Sequence, residues 1–99
     1  QDPNEYDMGA IKNILKSVGF NDLNILGDNI QLSNTNSIKE SIYKDSQIKG
    51  VNFGKLMQFL RISLVGDLSG PDVFFIIKIV GKDVTLRRLN SLLEKIQKQ

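Results

Sequence analysis

Neither cysteine nor histidine occurs in this chain, and the two absences remove much of the usual chemistry of sites. Without cysteine there is no disulfide framework, thiolate metal site or sulfur nucleophile, and the chain suits a reducing compartment. Without histidine it lacks the usual general base at neutral pH and the commonest metal ligand. The eight glycines are scattered and form neither GxxxxGK[ST] nor GxGxxG; those at 19, 66 and 81 are better placed to stop helices than to cradle phosphate. Asp67 and Asp72 flank a turn, where carboxylates serve turns and caps more often than glycoside cleavage. The longest apolar run, Val73 to Val80, is interrupted by Lys78 and is far too short for a bilayer. No charged-then-apolar leader opens the chain. The expectation is a soluble, cytoplasmic, non-catalytic domain with no metal or cofactor of its own, no membrane and no DNA among its partners.

What is present divides by sign. The chain has 99 residues, enough for one small domain that needs no staple. Its opening on Gln1-Asp2-Pro3-Asn4 is expected of a piece of a longer polypeptide. Residues 1–50 hold five Lys against seven Asp and Glu, a net of −2, whereas residues 51–99 hold five Lys and three Arg against four acids, a net of +4. All three arginines, at 61, 87 and 88, lie in the second half. Arginine forks onto phosphate and reads base edges, so its confinement points to a polyanion on that side; an ordinary solvated helical surface would carry the same modest excess.

The apolar spacing predicts helices nearly throughout. Asp2-Pro3-Asn4-Glu5 reads as a capping box before a helix carrying Met8, Ile11, Ile14, Leu15 and Val18. Gly19 should end it in a left-handed cap, with Phe20 folding back on Leu15. Residues 21–36, rich in Asn, suggest a short helix and then irregular structure. Ser37-Ile38-Lys39-Glu40 reads as a second capping box, opening a helix with Ile38, Ile42 and Tyr43 that closes before Gly50. Asn52 should cap a helix with Phe53, Leu56, Met57, Leu60 and Leu64 on one stripe, stopped by Gly66. Pro71 is placed at a first helical position, with Asp72 beside the positive helix end. Residues 73–80 read as the most buried helix, closed by Gly81, and Asp83 should cap a last helix with Leu86, Leu89, Leu93 and Ile96 inward. No segment alternates as a strand would. Tyr43, Phe74 and Phe75 read as core or structural residues. The fold class is therefore all-α, a compact multi-helix bundle over 1–99, with 1–35 an N-terminal helical subregion.

A binding site can be read from the same pattern. Arg61 lies near the end of one helix and the turn 66–73 returns the chain to the start of the next. A pocket walled by Arg61, the Gly70-Pro71 backbone and Val73 offers a fork donor, main-chain groups and an apolar wall, enough to grip a flipped-out pyrimidine.

Leu60-Arg61, Ser63-Leu64-Val65-Gly66, Ser69-Gly70-Pro71-Asp72-Val73-Phe74 and Leu86-Arg87-Arg88-Leu89 occur in an order that resembles the C-terminal anticodon-binding domain of bacterial-type glutamyl-tRNA synthetases, class I enzymes. The resemblance covers roughly the last forty residues. It implies an α-helical domain that binds the tRNA anticodon loop as a monomer. It also implies a parent glutamate-tRNA ligase whose separate catalytic domain uses ATP and Mg. Carried over residue by residue, it assigns Arg61, Gly70, Pro71, Asp72 and Val73 to the anticodon. Apart from the resemblance, Lys55, Arg87 and Arg88 are candidate phosphate contacts, with Arg87 and Arg88 reading first as solvated helix-face charges. The family often has Pro where this chain has Phe59 and Thr at Val65; related members carry a hydroxyl residue at position 70, so contacts there fall to the backbone. The catalytic His-Ile-Gly-His and Lys-Met-Ser-Lys-Ser signatures are missing from these residues. The alternative is a helical protein-interaction module with a basic face for an acidic partner.

The inventory makes one firm prediction. The purified chain will show no ATP–pyrophosphate exchange and no aminoacylation, and reproducible exchange would overturn the non-catalytic reading.

Overall fold

The computed structural model describes residues 3–98, and no strand occurs among them. Five helices follow in order: α1 Met8–Leu15, α2 Asn24–Leu32, α3 Ile38–Lys49, α4 Phe53–Val65 and α5 Val73–Gln97, with 3-10 turns at Phe20–Leu23 and Thr35–Ser37. The all-α bundle read from the sequence is the fold observed.

The core is organised around α4. Leu56, Phe59, Leu60, Ile62 and Leu64 are all sealed from solvent, joined by Ile11 and Ile14 of α1, Leu26 and Ile30 of α2, Ile38 and Ile42 of α3, and Leu89 and Leu92 of α5. Burial of one such side chain contributes about 1.5–3 kcal/mol, so this shared core outweighs any local propensity. Phe59 is among the largest fully buried side chains, which gives that position a packing role. Residues 73–80 are not the most buried helix, contrary to expectation: Phe75 is 55% and Ile79 67% exposed. An apolar run shows that a segment tolerates burial, whereas the number of helices around it decides how many of its faces are covered.

The helix ends show where local chemistry decided the structure and where packing did. Asn52 caps α4 by accepting from the Lys55 amide at 3.0 Å, and Gly66 closes it in the left-handed region at φ 93°. Gly50 closes α3 in the same region, with the Val51 amide reaching back to the Ser46 carbonyl at 2.9 Å. The first helix departs from expectation. Asp2 lies outside the described residues, Pro3 to Glu5 are not helical, and α1 is capped by Asp7, whose carboxylate accepts from the Ala10 amide at 3.0 Å. The segment before it runs past the end of α4 instead, where the Asp7 amide donates to the Gly66 carbonyl at 2.8 Å.

Gly19 is likewise no left-handed cap. It sits at φ −67°, ψ 150° and starts the first 3-10 turn, so α1 ends sooner, with Ser17 and Val18 both donating to the Ile14 carbonyl. Ser37 makes no side-chain cap, because the 3-10 turn before it already delivers the chain into α3 through the Ser37 amide and the Asn34 carbonyl at 2.9 Å. Pro71 lies one residue before the cap of α5, and the cap is Asp72, whose carboxylate accepts from the Phe74 and Phe75 amides at 3.1 and 3.2 Å. Gly81, at φ 87°, ψ 167°, interrupts α5 as read from the sequence, so that two helical stretches meet there at a kink. Asp83 lies inside the second stretch and does not cap it; the Thr85 hydroxyl donates back to the Gly81 carbonyl at 2.8 Å.

Polar links hold α2 to α3. Asn29 donates to the Ile25 carbonyl at 2.8 Å and to Asp45 at 2.9 Å, and Lys49 reaches the same carboxylate at 3.1 Å. The Asn29 bond first, and Lys49 second, hold the Asp45 carboxyl below its usual range.

Two predictions follow from these ends. A Cβ on Gly66 would lie 2.7 Å from the Glu5 carbonyl oxygen, whereas one on Gly50 meets nothing within 4 Å. Gly50→Ala should therefore cost about 1 kcal/mol of stability from backbone strain alone, and Gly66→Ala about 3 kcal/mol from strain plus displacement of the N-terminal segment. Equal losses in urea denaturation would show that this segment yields freely. Asp72→Ala removes a capping carboxylate and should lower stability by about 1 kcal/mol, read from the same denaturation curves.

Candidate nucleic-acid interface

One face of α4, the loop after it and the first turn of α5 form one groove. On α4, Phe53, Met57 and Arg61 recur every fourth residue, so they form a stripe that ends in a guanidinium. Leu68 comes from the loop, Asp72, Val73 and Phe74 from the start of α5, and Lys39 from the first turn of α3. Together with Gln58 they enclose about 320 Å³.

Arg61 ties two of these walls together. Its Nη1 donates to the Pro71 carbonyl at 2.6 Å, so the side chain spans from the end of α4 to the residue before the α5 cap. A guanidinium has five N–H donors. The others have no hydrogen-bond partner among the described residues. Gly70, at φ 120°, supplies a backbone path that other residues rarely adopt, and a Cβ there would lie 3.6 Å from Arg61 Nη1. The loop is stiffened on its other side by Asp67, which accepts from the Ser69 hydroxyl at 2.7 Å and the Ser69 amide at 2.9 Å. Those bonds, hydroxyl first, hold the Asp67 carboxyl below its usual range, with a smaller contribution from the Arg61 charge.

The structure thus brings Arg61, Asp72 and Val73 to one groove; Gly70 and Pro71 do not line it, but Pro71 is bonded to Arg61 and Gly70 lies beside the same guanidinium. Asp72 serves the groove indirectly, since its carboxylate already holds the Phe74 and Phe75 amides. The expected phosphate contacts are not gathered there. Lys55 is half-buried on α4, outside the groove lining. Arg87 is exposed but lines a separate groove with Phe20, Asn24 and Asn90. Arg88 is only 6% exposed and donates to the Leu64 carbonyl at 3.1 Å. This ties its guanidinium to the C-terminal end of α4, where the helix dipole favours positive charge.

Sequence reasoning missed Lys39 and undervalued the aromatics. Lys39 Nζ stands 6.0 Å from the centre of the Phe74 ring, at the outer limit of a cation–π contact. Tyr43, read as core, is 48% exposed and meets Phe53 edge to face at 5.2 Å. The spacing of Phe53, Met57 and Arg61 was available as a signal. Nothing in the sequence placed α3 beside it. The site has the makings of a single-strand RNA pocket: cations, aromatic faces and main-chain groups around a concave wall. Among the described residues no three acidic, histidine or cysteine side chains are grouped to hold a metal ion.

Residues 2–93 match a family model described as an anticodon binding domain. The chain is 34% identical to a glutamate–tRNA ligase of Flavobacterium johnsoniae over 97% of its own length and 20% of the ligase. A 60-residue stretch is 37% identical to the glutamate–tRNA ligase of Christiangramia forsetii, covering 61% of this chain and 12% of that one. The crystal structure of a glutamate tRNA ligase from Elizabethkingia meningosepticum superposes with a TM-score of 0.83 at 34% identity, over 95% of this chain and 19% of that one. The chain spans about a fifth of the length of the full-length matches. With a family model matched over nearly all its residues, and with its fold shared with these ligases, this chain belongs to the anticodon-binding-domain family.

Proposed function

We propose that this chain is the module of a glutamate–tRNA ligase that grips the tRNA anticodon loop and so positions the acceptor end for a catalytic domain elsewhere in a longer polypeptide. In that reading residues 1–99 form one anticodon-binding unit. ATP and Mg serve the catalytic domain, the working form is a cytoplasmic monomer, and this unit does no chemistry. The observation that carries the proposal is the bond from Arg61 to the Pro71 carbonyl at 2.6 Å. It joins the two stretches that resemble the synthetase motifs into one groove wall and leaves the rest of the guanidinium for a base edge or phosphate.

Affinity for an isolated anticodon stem-loop should be weak and should fall with salt as expected for a few phosphate contacts, since the second half of the chain carries a net of only +4. A second reading, docking of a protein partner, draws on Phe75 and Ile79, both exposed and one turn apart on α5. Salt-tolerant binding would favour that alternative.

The test is substitution at the latch. Arg61→Ala should cost about 1–3 kcal/mol of stem-loop binding and relax base preference at one anticodon position. Gly70→Val, which forces the loop off its path, should weaken binding more than it lowers the melting temperature. If folded Arg61→Ala binds and discriminates as the wild type does, the latch is structural only and the groove is not the anticodon site.

A further inference from the structure

The Arg61 groove does not end at Lys39. Two further depressions adjoin it, one of about 370 Å³ lined by Asn36, Lys39, Glu40, Tyr43 and Phe53, the other of about 200 Å³ lined by Thr35, Asn36, Lys39, Asp72, Phe74 and Lys78. Lys39 lines all three, and Phe53 is the wall between the first and second. A primary ammonium therefore stands where three concave surfaces meet, on the exposed first turn of α3.

The chemistry of the second depression is distinct from that of the Arg61 groove. Its wall is the edge-to-face pair of Tyr43 and Phe53, with ring planes at 83°, and Tyr43 is nearly half exposed, so a planar group can lie against it. Asn36 adds an exposed amide, with a donor and an acceptor, at the rim. Glu40, the acidic group on this side, is paired to Lys44 at 3.1 Å, which partly offsets its repulsion of an anion. Lys39 has no carboxylate partner among the described residues. An aromatic face, an amide rim and a cation on the border with a neighbouring pocket suit one unpaired nucleotide whose phosphate lies on that border.

We infer that Asn36, Lys39 and Tyr43 form a second nucleotide subsite. It takes the loop nucleotide adjoining the one held at Arg61, stacks its base on Tyr43 and places the connecting phosphate on Lys39. This rests on the reading that the Arg61 groove takes an anticodon-loop base. It adds a separate set of residues, on α3 and the 3-10 turn before it, that selects for two consecutive unstacked nucleotides. Stacking makes the subsite tolerant of base identity, and the Asn36 amide, which both donates and accepts, is suited to bias it.

The experiment uses the 99-residue chain and anticodon stem-loop RNAs carrying 2-aminopurine at one loop position at a time, which report stacking by fluorescence quenching. Two neighbouring positions should respond. Tyr43→Leu should abolish the response at one of them and weaken binding about tenfold, while Tyr43→Phe keeps both. Lys39→Gln should lower the slope of log affinity against log salt by about one, with Lys12→Gln on α1 as the matched charge control. Thermal melts exclude unfolding, to which exposed Tyr43 and Lys39 contribute little.

If the wild type binds no stem-loop, both this subsite and the anticodon reading fall. If binding depends on Arg61 but Tyr43→Leu and Lys39→Gln bind as the wild type does, the anticodon reading stands and the second subsite is wrong.

Discussion

The C-terminal end of α4 is the constraint on which the rest of the structure depends. A helix buried on so many sides cannot leave its last carbonyls to water, and an unpaired buried carbonyl costs about 1–3 kcal/mol. One local group and two remote ones meet that need. The Gly66 amide turns back to the Ile62 carbonyl, Arg88 of α5 reaches the Leu64 carbonyl, and the Asp7 amide takes the carbonyl of Gly66. Each of these bonds also fixes something else: the exit of the loop, the register of α5 and the approach of α1. Arg61 lies on that same last turn, so the direction in which its guanidinium leaves the helix is set by the same closure.

This explains why a small, weakly basic domain can present a defined site. The groove draws on ends of elements: the end of α4, which has a glycine stop, the start of α5, which has a carboxylate cap, and the start of α3, which is entered from a 3-10 turn. Gly66 and Asp72 pin the first two of these ends, and the short bond between Arg61 and Pro71 closes the loop between them. A groove held in this manner is organised by folding, so a ligand binding there would not meet the ordering entropy that otherwise opposes binding.

Much of the fold and part of the site were legible in the sequence. Asn52, Gly50 and Gly66 acted as read because each one's function is local: a side chain that can cap, or a residue without a Cβ where φ turns positive. Arg61 and the Gly70-Pro71 loop were legible through motif order, and the structure does bring them together. Other features turn on tertiary surroundings, which no local pattern encodes. Ser37 has capping chemistry but a 3-10 turn makes it redundant, and Gly19 needs no special conformation once α1 ends early. Arg87 and Arg88 are identical in type and adjacent, yet one lies outward and the other under α4, because successive helical positions are about 100° apart. Lys39 entered the site only because α3 packs beside α4.

The close approach at Gly66 makes two distant positions interdependent. Where residue 66 has no side chain, the carbonyl of Glu5 fills the space that one would need. The identity of residue 66 and the path of the chain before α1 are thus coupled variables. Changes in the N-terminal segment that move Glu5 away would lighten the steric part of any substitution at 66, but not the part due to its dihedral angles. Mutational effects at these two places should therefore be non-additive despite their separation in sequence, so substitutions in residues 3–7 are best judged together with the state of residue 66.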